Sequence, residues 1–218
     1  LTILLFSATI AFSFLTQIKP KGGVSMLKQQ YDAKRLILRQ SCPQLAQAAA
    51  DYLKRNRDFL APFEPVRLPE YFSLPFWQTQ MEQDARQARQ GQGYRFWLSL
   101  PERPEQLIGM AHLSQISRGC FQSCYLGYHM DQQFLRQGYM TEALERVLSL
   151  AFEPLGLHRV EANVMPSNAP SLALLKKLGF HQEGLALRYL KIQGQWEDHL
   201  HMAKLADDPE NPMPKPQS

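Results

Sequence analysis

The stretch Tyr125–Phe152, reading YLGYHMDQQFLRQGYMTEALERVLSLAF, constrains the fold more than any other. Tyr125–Met130 is a short aromatic and apolar run. Asp131–Gly138 is polar and ends on a glycine. Ala143, Leu144, Val147, Leu148 and Ala151 then recur at helical steps, with Glu142, Glu145, Arg146 and Ser149 on the other side. The order is strand, glycine-bearing turn, then a helix over Thr141–Phe152. A helix leaves its first amides unpaired and carries its positive dipole end there. A glycine at its start lets a ligand approach the backbone closely. Gly138 and the amides of Tyr139–Glu142 therefore form a candidate seat for a phosphate or pyrophosphate. The alternative is an ordinary helix start with local capping by Asp131 or Thr141. The turn is not a Walker loop, because no GKS or GKT follows, and the three-glycine dinucleotide spacing is absent.

The chain has 218 residues, 44% hydrophobic and 20% charged, enough for one sizeable core. Cys42, Cys120 and Cys124 make no disulfide framework and point to a reducing, cytoplasmic setting. Cys120 and Cys124 lack a second Cys/His pair, so no metal site is expected. Ile3–Leu15 is almost wholly apolar or small, yet too short for an ordinary spanning helix, and no basic residue precedes it. Met26 stands just before the first globular pattern. Residues 1–25 are read as a non-globular leader upstream of a natural start at Met26, with a signal peptide as the alternative. On that reading no stable membrane insertion is expected. Without Lys19 and Lys21 the formal charge falls from +4 to +2, which gives no support to specific DNA binding. A single domain over residues 26–205 is expected, then a flexible, proline-rich tail over 206–218.

Taken in order, Leu36–Leu38 reads as a strand. A helix follows from Ser41 or Cys42 through Pro43, with Leu45, Ala48, Ala49, Tyr52 and Leu53 on its apolar side. Phe59–Pro65 (FLAPFEP) reads as a rigid aromatic loop, either surface cover or one wall of a substrate channel. Phe76–Gln90 is a second helix. Tyr94–Leu100, Leu107–Ser114 and Ser123–Met130 are three antiparallel strands in succession. After the central helix the chain returns in Arg159–Val164. Pro170 opens a helix over Ser171–Leu178, ended by Gly179. A long, bulged strand over Phe180–Ile192 turns at Gly194 into Trp196–Leu205. The fold class expected is mixed α+β: a mixed, mostly antiparallel twisted sheet with helices on both faces.

These segments resemble the GCN5-related N-acetyltransferase (GNAT) superfamily, on LGYHM, FLRQGYMTEALERVLSLAF, HRVEANVMPSNAPSLALLKKLGFHQEG and GQWEDHLHMAKL. CYLGYHM, NRDFLAPFEP and YLKIQGQWEDH are similar to its ribosomal-protein-alanine branch, and the resemblance spans about Tyr31 to Leu205. It implies the GNAT fold and acetyl-CoA as cosubstrate, bound in a splay between two central strands with its pyrophosphate on the turn before the central helix. The implied cofactor residues are Tyr128, His129, Met130, Arg136, Gln137, Gly138, Tyr139, Met140, Thr141, Asn168 and Ser171. Within the family signature Gln/Arg-x-x-Gly-x-Gly/Ala, Gly138 matches, while Leu135 and Met140 depart. Met140 narrows the approach to the phosphates, and Arg136 offers a compensating charge. Asn168 is implied to hold the pantetheine arm or the loop, with a plain helix cap as the alternative. Ser171 is implied to sit near the thioester sulfur, or to be a first-turn serine only.

The implied reaction is direct attack of a neutral amine on the thioester through a tetrahedral intermediate. A backbone amide in Tyr128–Asp131 is the implied oxyanion donor. Candidates for the base are His129, Glu161 and Glu64, beside deprotonation through water. Tyr189 and Ser171 are candidates for protonating the thiolate. No order of residues suggests a covalent nucleophile. The implied acceptor is the N-terminal α-amine of an alanine-starting ribosomal protein, met free or on the ribosome, with Arg55 and Arg57 as ancillary contacts to ribosomal RNA. A monomer or weak dimer is expected. Two other readings stand beside this one: an acetyltransferase for a small amine or antibiotic, and a non-catalytic CoA-sensing or ribosome-assembly protein.

Overall fold

The structure, a computed structural model, describes residues 27–207. The expectations for residues 1–25, for Met26 and for most of the tail lie outside the described residues. Eight strands form one sheet in the order β1-β2-β3-β4-β5-β6-β8-β7. They are β1 (Gln30–Asp32), β2 (Ile37–Gln40), β3 (Tyr94–Leu100), β4 (Arg103–Ser117), β5 (Ser123–Met130), β6 (Arg159–Val164), β7 (His181–Ile192) and β8 (Gln195–Leu205). Every pairing is antiparallel except β5 with β6. Five helices accompany the sheet: α1 (Ala46–Arg55), α2 (Arg57–Leu60), α3 (Leu74–Arg89), α4 (Tyr139–Phe152) and α5 (Ala169–Lys177). The mixed α+β architecture expected from the pattern is the one observed.

Two cores lie on the two faces of the sheet, and strand alternation assigns residues to them. In β3, Tyr94, Phe96, Leu98 and Leu100 enter the larger core with the apolar stripe of α4. Trp97 points the other way, into a smaller core with Tyr52 and Leu53 of α1 and Trp77 and Met81 of α3. β3 is buried on both faces, and its sequence YRFWLSL is mostly apolar, with Arg95 and Ser99 flanking Trp97 on the smaller core's side.

Helix α4 starts two residues earlier than the sequence pattern suggested, at Tyr139. FLAPFEP departs further from expectation. Instead of an irregular loop, Arg57–Leu60 forms one helical turn and Ala61–Phe63 a 3₁₀ turn. Pro62 falls in the first turn of that second segment, where no intrahelical amide bond is required of it. The bulged nature of β7 is real: its register with β8 shifts between Gln182 and Gly184 and again between Ala186 and Leu190. Gln193 and Gly194, both with positive φ, close the hairpin.

Candidate active site

The site begins where two strands stop pairing. β5 and β6 run parallel only from Ser123 to Tyr125, opposite Arg159 to Glu161. Beyond that point β5 stays with β4 as far as Met130, and β6 stays with β8 as far as Val164. Between them opens a cavity of about 580 Å³. The Asp131 amide donates to the Ile108 carbonyl, 2.8 Å away on the β4 side. Successive amides in a strand alternate in direction, so those of Met130, Tyr128 and Leu126 face the gap. Of the four amides named as oxyanion donors, Asp131's is thus committed elsewhere, while Tyr128 and Met130 present theirs to the cavity.

The lower end of the cavity is the glycine turn. Gly138 has φ 81° and caps α4 with no side chain. Asp131 caps the preceding 3₁₀ turn instead, its Oδ1 accepting from the Gln133 amide at 3.0 Å. The first intrahelical bond runs from the Glu142 amide to the Gly138 carbonyl, which leaves the amides of Tyr139, Met140 and Thr141 for a ligand. Arg136, Gly138, Tyr139, Met140 and Thr141 line the cavity. Gln137 does not. Its Nε2 donates to the Gln133 carbonyl at 3.1 Å and braces the turn from within. Met140 is 9% exposed and counts among the main core, so most of its bulk is taken up there.

Both ends of this turn are tied to remote elements. At the start, Asp131 is fully buried and its Oδ2 meets Arg55 Nε at 2.7 Å, while Asn56 Oδ1 accepts from the Gln132 amide at 3.1 Å. Arg55 also donates to the Leu107 carbonyl at 2.8 Å. The Arg55 guanidinium, expected as an ancillary RNA contact, is thus engaged by an internal carboxylate. Arg57 lies over the Phe72 ring, 5.1 Å from its centroid. At the far end, Arg35 reaches from the β1–β2 turn. Its amide and Nε donate to Glu142 at 2.6 and 2.9 Å, and its Nη1 to the Gln137 carbonyl at 3.1 Å.

The opposite wall comes from α5. Asn168 Oδ1 accepts from the Ser171 amide at 3.2 Å, so Asn168 is the N-cap of that helix as well as a lining residue. Ser171 Oγ lies 2.6 Å from the Tyr128 hydroxyl. Burial pushes the Tyr128 phenol up to about 12, against a smaller opposing effect of the Ser171 bond. The phenol therefore keeps its proton at neutral pH.

The upper end is walled by Phe59, Leu60, Phe63 and Glu64. His129 lines it from β5, its Nδ1 2.7 Å from the Tyr52 hydroxyl and its ring stacked on Tyr52 at 5.4 Å. Burial, with Arg95 and Arg67 nearby, pulls the His129 imidazole down to about 3, so it is neutral. Burial and the carboxylates of Asp131 and Glu64 hold Tyr52 well above the ordinary phenol range. Glu64 pairs with Arg67 at 3.2 Å. Glu161 and Tyr189 are not among the lining residues. Glu161 pairs with Arg159 at 3.2 Å, and Tyr189 packs against the His199 and His201 rings at 5.7 and 5.0 Å. Burial pushes the Cys124 thiol up to about 12, so it is no nucleophile.

Sequence reasoning passed over three residues that matter here. His199 lines the cavity from β8 although it lies more than sixty residues from the glycine turn. Tyr52 and Arg35 act on the site from α1 and the β1–β2 turn. Only their positions in the fold reveal them, because no local pattern sets them apart.

A splayed parallel pair beside a glycine-led helix start is an arrangement that can seat a long ligand ending in phosphates. The chain belongs to the acetyltransferase (GNAT) family, whose domain matches residues 35–181. Among its relatives, the [ribosomal protein uS5]-alanine N-acetyltransferase of Escherichia coli (strain K12) is 38% identical over 181 residues, 83% of this chain and 93% of that protein. The probable N-acetyltransferase YjcK of Bacillus subtilis (strain 168) is 38% identical over 155 residues, covering 71% and 85%. Among solved structures, the ribosomal-protein-S5-alanine acetyltransferase of Vibrio fischeri superposes with TM-score 0.80 at 30% identity, covering 83% of this chain and 98% of that one. Mycobacterium smegmatis RimJ in complex with CoA-disulfide gives 0.75 at 30% identity, covering 84% and 85%.

Proposed function

We propose that the protein transfers an acetyl group from acetyl-CoA to the N-terminal α-amine of a ribosomal protein that begins with alanine. The observation that carries the reading is the continuous cavity from the Gly138 turn, through the β5–β6 gap, to the wall of Phe59 and Phe63. One end offers unpaired amides at a positive dipole, suited to a pyrophosphate. The other is aromatic and open to a chain end. The likeness to ribosomal-protein acetyltransferases over most of the chain supports this acceptor class.

The chemistry divides among the residues as follows. The amides of Tyr139–Thr141 hold the pyrophosphate, with the Arg136 charge beside it. Tyr128 and Met130 run along the pantetheine arm, and their amides, turned to the gap, hydrogen-bond the tetrahedral oxyanion. Asn168 fixes the start of α5 against the arm. As the C–S bond breaks, Ser171 gives its proton to the leaving thiolate and takes another from the Tyr128 hydroxyl, which regains a proton from water as the step completes. Tyr189 lies beyond the cavity wall and is not used. Holding amine and carbonyl side by side supplies much of the rate. An α-amine titrates near pH ~8, so losing its proton is modest work.

The test is acetyl-CoA turnover against peptides varied at their first two residues, with α-blocked copies as controls. Rapid acetylation of Ala- or Ser-starting ribosomal peptides, abolished by blocking, is the expected result. Binding of acetyl-CoA with turnover on small amines alone would overturn the acceptor assignment.

A further inference from the structure

We infer that His199 is the base that takes the proton from the attacking amine. The inference rests on the acetyl-transfer reading above. β8 pairs with β6 up to the partners Val164 and Leu200, so residue 199 lies just past the end of that pairing, at the opening of the gap. His199 is one of the residues lining the cavity, although it is only 4% exposed. It therefore faces the space an acceptor would occupy, not bulk water.

The hydrogen bonding fixes its tautomer. His199 Nδ1 lies 3.0 Å from the Glu197 carbonyl oxygen. A carbonyl oxygen only accepts, so Nδ1 carries the proton and the neutral ring keeps its lone pair on Nε2. A histidine held by its other nitrogen in this way is oriented and ready to accept a proton. Tyr189 packs on the ring from β7 and limits its movement.

The other candidates are less suited. His129 is drawn down to about 3, far too weak a base for an ammonium. Glu64 is engaged by Arg67, and Glu161 is engaged by Arg159 away from the cavity. Among the described residues, no carboxylate or guanidinium forms an ion pair with His199.

The titratable groups around His199 are few. Tyr189 faces it from β7, Glu197 and His201 stand two positions away on β8, and His129 and Glu64 line the same cavity from β5 and the segment after α2. Asn163, on β6 beside His201, is neutral and leaves a buried Oδ1 without a partner, as His201 does its Nε2. In the step itself, an N–H proton of the ammonium passes to Nε2, the freed lone pair attacks the thioester carbon, the C–S bond breaks as the thiolate is protonated from Ser171, and the acylated nitrogen gives its second proton to water to leave the neutral amide. The imidazolium then returns its proton to water.

The test uses the full chain with acetyl-CoA and the best peptide acceptor. His199→Gln is expected to lose about a hundredfold in turnover, with acetyl-CoA affinity unchanged within about twofold and the acid limb of the kcat/KM profile gone. His199→Ala is expected to regain part of its turnover when imidazole is added. Turnover within about threefold of wild type in both variants overturns the inference alone. So does a loss that imidazole does not relieve in a variant that still binds acetyl-CoA and keeps its Tm. If the wild-type chain acetylates no peptide, the parent reading falls first, and this inference falls with it.

Discussion

The Tyr128 hydroxyl stands 2.6 Å from Ser171 Oγ, joining the free edge of β5 to the first turn of α5 across the cavity. On the proposed mechanism the pair acts as one proton donor. Tyr128→Phe should lower kcat about a hundredfold while leaving acetyl-CoA affinity nearly unchanged. Ser171→Ala should do the same, and the double variant should be little worse than either alone, because the two serve a single transfer. The donor must be protonated to work. With Tyr128 raised to about 12, its proton stays on throughout the workable range, so no alkaline fall in kcat should come from this pair below about pH 10. A pH–rate profile of wild type and Tyr128→Phe checks both points.

Gly138 supports a second prediction. Its φ of 81° lies in the left-handed region, and an added Cβ would stand 3.3 Å from Arg35 Nη2. Left-handed backbone costs an ordinary residue about 1–2 kcal/mol. Gly138→Ala should therefore lower Tm by a few degrees, about 2–4 °C per kcal/mol for a chain of this size. Distortion of the amide cluster should also weaken acetyl-CoA about tenfold, ~1.4 kcal/mol. Calorimetric titration and thermal unfolding measure the two effects separately. Unchanged cofactor affinity in a destabilised variant would remove the pyrophosphate from this turn.

Much of this was legible in the sequence because the signals are local. The stripe Ala143–Ala151 requires α4, the run SCYLGYHM requires β5, and Gly138 between them marks the start of the helix. Asn168, Pro170 and Gly179 likewise punctuate α5 from within their own few residues. What could not be read is what depends on two distant segments meeting. Arg55 looks like a surface cation until α1 is packed against Asp131, which is fully buried. Glu161 follows period-two alternation with Asn163, yet it pairs with Arg159, two residues back on the same face of β6, and stays out of the cavity lining, whose extent depends on where β5 and β6 part. Tyr189 fails as a cavity residue because the bulges of β7 shift its register, which composition alone does not locate. FLAPFEP was misread for a different reason. Proline forbids the interior of a helix but suits the first turn of a new one.

Acid sensitivity is the third prediction. Burial and the Arg95 charge lower both His112 and His129 from 6.5 to about 3 in the folded chain. The unfolded chain therefore binds the extra protons between the two values. The stability tied to these rings is complete above about pH 6.5 and is lost as pH falls toward about 3. Each ring contributes a limiting slope of about 1.4 kcal/mol per pH unit in that window. Urea midpoints measured from about pH 7 to about pH 5 should fall, and His112→Gln should flatten the slope by one histidine's share. An equal slope in the variant would mean that His112 titrates normally in the fold.

The acceptor end supports the fourth. Phe59 and Phe63 line the cavity yet are 36% and 42% exposed, so their rings are available to an incoming chain. They do not hang free. Gln193, at the tip of the β7–β8 hairpin, donates its Nε2 to the Glu64 carbonyl at 3.0 Å and ties that hairpin to the segment that carries Phe63. Covering an aromatic ring is worth about 1.5–3 kcal/mol, so losing part of such a contact costs about tenfold in affinity. Phe63→Ala should raise the KM for peptide about tenfold with kcat on saturating peptide and acetyl-CoA affinity nearly unchanged. Gln193→Ala should act in the same direction but more weakly, since it loosens the wall without removing it. A Phe63→Ala enzyme that keeps its peptide KM and loses acetyl-CoA affinity instead would reverse the orientation assigned to the cavity, with the phosphates at the aromatic end.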